Sequence, residues 1–178
     1  MYTEQELLQL ASQLNTQALA EIYDIHSPGI YRYAMRLLSD VSLAEDCVAE
    51  TFTRFLRALQ KRRGPRDHLQ AYLYRIAHNW IVDSYHGREQ LVELDENVRS
   101  ETALPEEEAA KRIRQKQIRK AIRRLTPDQQ MVISLKYLDE WCNEEIARAL
   151  KKPVGAVKSI QHRALRSLQK LLVEESRQ

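Results

Sequence analysis

Two apolar sets near the end of the chain constrain it most. Ile146, Ala147 and Leu150 share one helical face, and Val157, Ile160, Ala164, Leu168 and Leu171 share another. Lys151-Lys152-Pro153 turns the chain between them. Helices this short gain little stability alone, so the two must bury their stripes by crossing, with the small Ala147 at the crossing. This is the inward-facing pattern of a helix-turn-helix. It predicts a first helix from Glu144 to Leu150, capped by Asn143, and a second from near Val154. Lys151 sits where such turns often carry glycine; a left-handed conformation there costs roughly 1 kcal/mol.

The rest of the chain also reads as helix. Only 4 Gly and 5 Pro interrupt 178 residues, and the hydrophobic fraction is 43%. Leu7, Leu8, Leu10, Ala11 and Leu14 form a stripe over Glu4–Leu14. A second helix runs from Thr16 to about Ile25; Ser27-Pro28-Gly29 breaks or kinks it, and helix resumes through Tyr33 and Leu38. Ser42-Leu43-Ala44-Glu45 reads as a capping box for a helix with Val48, Phe52, Phe55, Leu56 and Leu59 on one face. Gln60 to His68 is a basic loop around Gly64-Pro65. Asp67 is the expected cap of a helix that buries Leu69, Leu73, Ile76, Ala77 and Trp80 and presents Tyr72, His78, Asn79, Asp83 and Tyr85 elsewhere. After a gap in periodicity, Ile113, Ile118, Ala121, Ile122 and Leu125 form a stripe. Thr126-Pro127-Asp128 restarts helix, with Met131, Val132, Leu135 and Leu138 inward. The predicted fold class is all-α: two small helical domains, residues 1–85 and 111–178, joined by a flexible linker at 86–110.

Charge follows the same division. Residues 1–85 carry 9 basic and 10 acidic side chains, 86–110 carry 2 and 8, and 111–178 carry 17 and 7. The net +3 therefore hides an acidic tether and a basic C-terminal third. Charge alone describes a solvated surface; combined with the helix-turn-helix spacing it is the footprint of a polyanion binder. The outward positions of the last helix are Gly155, Ala156, Lys158, Ser159, His162, Arg163 and Arg166. Small residues at its start admit a close approach to base edges, and arginine or lysine grips guanine.

Several classes are disfavoured. The five histidines (His26, His68, His78, His86 and His162) show no HExxH pattern, and there is no glycine-rich phosphate loop or nucleophile motif. No enzyme, metal site or cofactor is expected. Cys47 and Cys142 stand apart and read as half-buried thiols in a reducing compartment. The opening MYTEQELLQL is neither cationic nor continuously apolar, and no apolar run approaches a membrane span. A cytoplasmic location without membrane contact is expected.

The run NEEIARALKKPVGAVKSIQHRALRSLQKLL resembles region 4 of bacterial extracytoplasmic-function sigma factors, small members of the sigma-70 family, and AIRRLTPDQQMVISLKYLDEW resembles the start of that region. LAEDCVAETFTRFLRAL is similar to region 2.2, and LQAYLYRIAHNWIVDSY to regions 2.3 and 2.4. The resemblance covers about residues 17–85 and 112–172, in order. It implies a sigma subunit that works with core RNA polymerase. Lys158, Ser159, His162 and Arg163 would contact the −35 element as duplex, with Arg166 on phosphate. The loop cations Lys61, Arg62, Arg63 and Arg66 would hold the backbone of the melted −10 element. Asn79 matches a position lining the pocket for a flipped base, and Tyr72, His78 and Tyr85 are stacking or groove candidates. By helical phase alone Tyr72 is as readily partly core. Asp46, Glu50 and Arg54 would dock on the clamp of the polymerase's largest subunit, and the flap of the second largest is the other implied contact. The linker is either a passive tether or a strand threading toward the polymerase active centre. An anti-sigma protein is the remaining implied partner.

A free-standing operator-binding regulator is the competing reading, since helix-turn-helix units also end many response regulators. Residues 17–85 discriminate: a receiver domain would alternate strands and helices around an acidic pocket, whereas only helices appear. An operator binder also needs a dimer seam to span half-sites, and none is evident.

Overall fold

The computed structural model describes residues 2–89 and 106–175. Among them are eight helices: α1 (Glu4–Ser12), α2 (Thr16–Leu38), α3 (Val41–Gln60), α4 (Leu69–Glu89), α5 (Glu106–Arg123), α6 (Pro127–Tyr137), α7 (Asn143–Leu150) and α8 (Val154–Glu175). The described residues contain no strand. The expected linker acids Glu93, Asp95, Glu96 and Glu101 lie outside the described residues. At the linker's edges, helix continues to Glu89 and resumes at Glu106, so both ends assigned to the tether carry helical backbone.

Helices α1–α4 form the N-terminal bundle, in which α2, α3 and α4 pack on one another and α1 covers α2 and α3. Its interior is Ile22, Ile30, Tyr33, Phe55, Leu69, Leu73 and Ile81, all fully enclosed. Thr3 caps α1: its hydroxyl accepts from the Glu6 amide, and the Glu6 carboxylate accepts from the Thr3 amide at 2.7 Å.

Pro28 does not break α2, which is continuous from Thr16 to Leu38. Ile22 and Ile30, on either side of it, are both buried, and that packing outweighs the roughly 3 kcal/mol a mid-helix proline costs. Gly29 serves packing rather than interruption. A Cβ there would stand 2.8 Å from the Tyr74 hydroxyl oxygen, so α4 approaches α2 closely only because residue 29 has no side chain.

Caps are displaced from three expected positions. Asp40, not Ser42, caps α3, its carboxylate accepting from the Leu43 amide at 3.0 Å. The chain enters α4 through His68 rather than Asp67: the His68 carbonyl accepts the first helical bond, from the Tyr72 amide, and His68 itself has φ 50°. Cys142, not Asn143, precedes α7, with Glu145 accepting from the Cys142 amide at 2.7 Å. At α3 and α7 a carboxylate beside the expected residue takes a helix-start amide instead. The Thr126 cap stands as read, with Pro127 opening α6 and Gln129 returning the bond to the Thr126 amide at 3.2 Å.

The C-terminal unit packs α6 and α7 against α8, with Val157, Ile160, Ala164, Ile146 and Ala149 buried between them. Lys151 is left-handed at φ 54°, ψ 44°, so the strain its position implied is present. Only the last turn of α5 joins this core: Ala121, Ile122 and Leu125 are buried, whereas Ile113 and Ile118 are 60% and 40% exposed. Leu56 and Leu14 are also exposed, and Leu138 is half-buried. The two thiols differ from expectation and from each other, Cys47 being buried and Cys142 exposed.

The middle of helix α6 is enclosed on all sides. Met131, Val132, Ile133, Ser134 and Leu135 are consecutive and buried, which one neighbouring surface cannot achieve for a helix. The second surface is the N-terminal bundle, since α4 packs on both α6 and α7.

Candidate nucleic-acid interface

Helix α8 keeps one face for the core and turns the other outward. Gly155, Lys158, Ser159, His162, Arg163 and Arg166 are exposed, and Ala156 is half-buried. Lys158, Ser159, His162 and Arg163 line a shallow open concavity. The Ser159 hydroxyl donates to the Gly155 carbonyl at 3.1 Å, and Arg163 Nε donates to the Ser159 carbonyl at 3.4 Å, which lays the guanidinium back along the helix. Nothing lies within 4 Å of a Cβ built on Gly155, so the start of α8 is open. The whole expected set shares one accessible helical surface whose charged members are all cationic.

The loop between α3 and α4 is a tight turn that throws its cations outward. Arg62 and Arg63 donate their amides to the carbonyls of Leu59 and Ala58, each at 2.8 Å. The chain then folds back so closely that a Cβ on Gly64 would lie 2.5 Å from a Leu59 methyl. Lys61, Arg62, Arg63 and Arg66 are exposed around this turn. Tyr72, one turn into α4, is half-buried with its ring edge on Phe55 at 6.2 Å and the Arg75 guanidinium 5.4 Å from its centre. Tyr72 is thus partly core, with part of its ring left accessible. Asn79 is exposed.

His78 is not on the surface. It is 1% exposed, with Nδ1 2.8 Å from the Tyr33 hydroxyl and Nε2 3.0 Å from the Pro127 carbonyl. Helical phase turns it from the bundle's own core, but the C-terminal unit covers it. Burial pushes its pKa down to about 4, so the ring is neutral, and the Pro127 carbonyl then accepts from Nε2–H. Tyr85 is also occupied: its hydroxyl donates to the Leu37 carbonyl at 2.6 Å, and the Arg123 guanidinium lies 4.5 Å from its ring centre.

On α3, Asp46 is exposed, while Glu50 and Arg54 pair at 2.7 Å across one turn. These side chains form a polar stripe opposite Val48, Phe52, Phe55 and Leu59. The Cys47 thiol is driven by burial to a pKa of about 12, which makes it a core group rather than a reactive one.

The sequence model of the family Sigma-70 region 2 matches residues 22–90, and that of Sigma-70, region 4 matches residues 115–168. The chain is 31% identical over 180 residues to the ECF RNA polymerase sigma factor BldN of Streptomyces coelicolor, covering 97% of this chain and 67% of BldN. It is 32% identical to SigW of Bacillus subtilis, covering 87% of this chain and 89% of SigW. The chain belongs to the extracytoplasmic-function sigma factors of the sigma-70 family. In this sigma factor the region 2 match runs from within α2 to the end of α4, and the region 4 match from within α5 to within α8. The fold matches that of CnrH, solved in complex with the cytosolic domain of CnrY, with a TM-score of 0.67 at 22% identity over 96% of this chain and 97% of that one. Sigma factors bind DNA and confer promoter-specific initiation on RNA polymerase; they are regulators rather than catalysts. No helix among the described residues is long and apolar enough to cross a membrane.

Residue-by-residue reading missed the contact between the two regions. Arg36 of α2 donates to the Leu138 carbonyl and pairs with Asp139 in the α6–α7 turn. Tyr74 of α4 packs on Trp141 with ring centres 4.8 Å apart. Burial raises the Asp139 carboxyl's pKa, opposed by Arg36 and Arg32. The one available signal was the apolar run in α6, too wide for a one-sided stripe.

Proposed function

We propose that this sigma factor joins core RNA polymerase and reads a promoter at two places. Region 4 reads the −35 element as duplex through α8, with Lys158, Ser159, His162 and Arg163 at base edges, Gly155 and Ala156 allowing close approach, and Arg166 on phosphate. Region 2 takes the melted −10 element along Lys61, Arg62, Arg63 and Arg66, with a base held near Tyr72 and Asn79. His78 and Tyr85 join this set only where region 4 has moved away. Asp46, Glu50 and Arg54 dock on the clamp of the polymerase's largest subunit, and region 4 meets the flap of the second largest. An anti-sigma protein completes the partners, as CnrH is seen with the cytosolic domain of CnrY. On this reading the protein works in the cytoplasm.

The observation that carries the reading is the open, entirely cationic row of charges on α8, present together with a second outward-thrown basic loop on region 2. An operator-binding repressor needs only the first of these. The test is run-off transcription with purified bacterial core polymerase on a genomic promoter library. The proposal requires discrete start sites that depend on the chain. No start site, combined with tight duplex binding by the chain alone, would defeat it.

A further inference from the structure

We propose that α5 is a second, sequence-independent grip on double-stranded DNA, separate from the row on α8, through Arg112, Lys116, Arg119, Lys120 and Arg123.

Between Lys111 and Arg124 the chain carries eight cations and no carboxylate. Five of them, the residues just named, recur at helical spacing along one side of α5. The other side carries Ala121 and Ile122, which are buried. Arg112, Lys116, Lys120 and Arg123 are exposed and Arg119 is half-buried. Like charges four residues apart destabilise a helix, and this row contains three such pairs: Arg112–Lys116, Lys116–Lys120 and Arg119–Arg123. Burial, and after it the Arg123 charge, lowers the Arg119 pKa. A polyanion laid along the row would remove that repulsion.

The row does not serve the duplex assigned to α8. Helices α5 and α8 pack on each other. On α8 the cations stand away from the buried Val157, Ile160 and Ala164, and on α5 they stand away from the buried Ala121 and Ile122. The two rows therefore face outward on different sides of one core, and one straight duplex cannot lie on both.

The chemistry of α5 favours duplex over a single strand or a protein. From Arg112 to Arg123 the helix spans about 16 Å. One strand of a duplex presents about five phosphates over that length, against five cations. Single-strand binders add aromatic stacking platforms, and α5 has no aromatic residue. A protein interface needs an apolar centre. On the cationic side α5 offers only Ile113, and an isolated exposed aliphatic is ordinary surface. Nothing but arginine, lysine and two glutamines is polar between Lys111 and Arg124, so the grip is on backbone charge rather than on bases.

The test is photocrosslinking from an aryl azide on Ile113→Cys, 60% exposed, to a duplex of random sequence, in a full-length Cys142→Ser chain whose remaining thiol, Cys47, is buried. The same azide on the exposed Gln13→Cys of region 2 is the control and should not crosslink. Replacing Lys158, Arg163 and Arg166 together by Gln should leave the Ile113→Cys crosslink in place. Replacing Arg112, Lys116 and Lys120 together by Gln should lower its yield about tenfold or more. All six side chains are exposed, so both sets of changes spare the core. The affinity read by this crosslink should fall roughly 40-fold between about 50 and 200 mM salt, as three displaced counterions require. Four results would each overturn the proposal: equal crosslinking from Gln13→Cys, loss of the crosslink with the α8 charges, its persistence without the α5 charges, or stronger competition by polyglutamate or a single strand than by unlabelled duplex of equal charge. The assay contains neither polymerase nor promoter, so the α5 grip can fail while the promoter reading stands, and the reverse.

Discussion

The Nε2 atom of His78 lies 3.0 Å from the carbonyl oxygen of Pro127, so a side chain of region 2 is bonded to the first residue of a region 4 helix. Forty-nine residues separate them, and burial at this contact, not the bond itself, keeps the imidazole neutral.

That neutrality makes the closed form, in which the two regions touch, acid-sensitive. Freed, the ring titrates near 6.5; closed, it is held at about 4 by burial, with the Pro127 carbonyl and the Asp128 charge opposing. The closed form thus binds fewer protons between these values, and its stability rises with pH. It is complete above about pH 6.5 and declines as pH falls toward 4. Tyr33 stays neutral throughout, since burial raises its pKa. Asp139, raised by burial, pulls the opposite way, but nearer the carboxylate range. Between pH 6.5 and 5.5 the closure constant should fall about fivefold. Energy transfer between dyes on Gln13→Cys and Gln169→Cys, in a Cys142→Ser chain at the two pH values, checks this, and His78→Gln should abolish the dependence. A flat profile in the unaltered chain would count against it.

Lys151 offers a stabilising change. Its left-handed backbone at φ 54° costs a residue with a Cβ roughly 1 kcal/mol that glycine avoids. Lys151→Gly should stabilise region 4 by about that amount, measured as a shift in its urea midpoint with unchanged slope. A lower midpoint would show that the exposed lysine contributes more than its conformation costs.

These two positions show what a sequence does and does not display. The Thr126-Pro127 start, the Lys151 turn and the inward faces of α7 and α8 are local: each follows from residues within one or two turns of itself. Pro28 misled because the outcome depended on Ile22 and Ile30 packing across the bundle, and Gly29 because its reason is Tyr74, distant in sequence. His78 was expected outside because phase on α4 reports only region 2; what covers it arrives from Pro127. The exposed cationic row on α8 needed no such information, since exposure follows from helical phase alone.

The roles given to the α8 side chains separate by sequence dependence. Arg163→Ala should cost about 1–3 kcal/mol on the cognate −35 duplex and relax preference at one base pair. Arg166→Ala should weaken all duplexes alike and flatten the salt slope by about one unit. Binding to a set of duplexes substituted one base pair at a time distinguishes them. Equal, sequence-independent losses from both would move Arg163 to the backbone.

On the function proposed above, promoter reading by this sigma factor is divided between two grips and completed by core polymerase. The direct measurement is affinity for a promoter carrying both elements, by the chain alone and with core polymerase, across salt concentrations. Alone, the chain should bind weakly. With the three exposed cations Lys158, Arg163 and Arg166 of α8 displacing counterions, its affinity should fall roughly 40-fold between about 50 and 200 mM salt. With polymerase, binding should be tight, and changes in either element should reduce it. Tight, salt-insensitive binding by the free chain, unaltered by polymerase and indifferent to the −10 element, would contradict it.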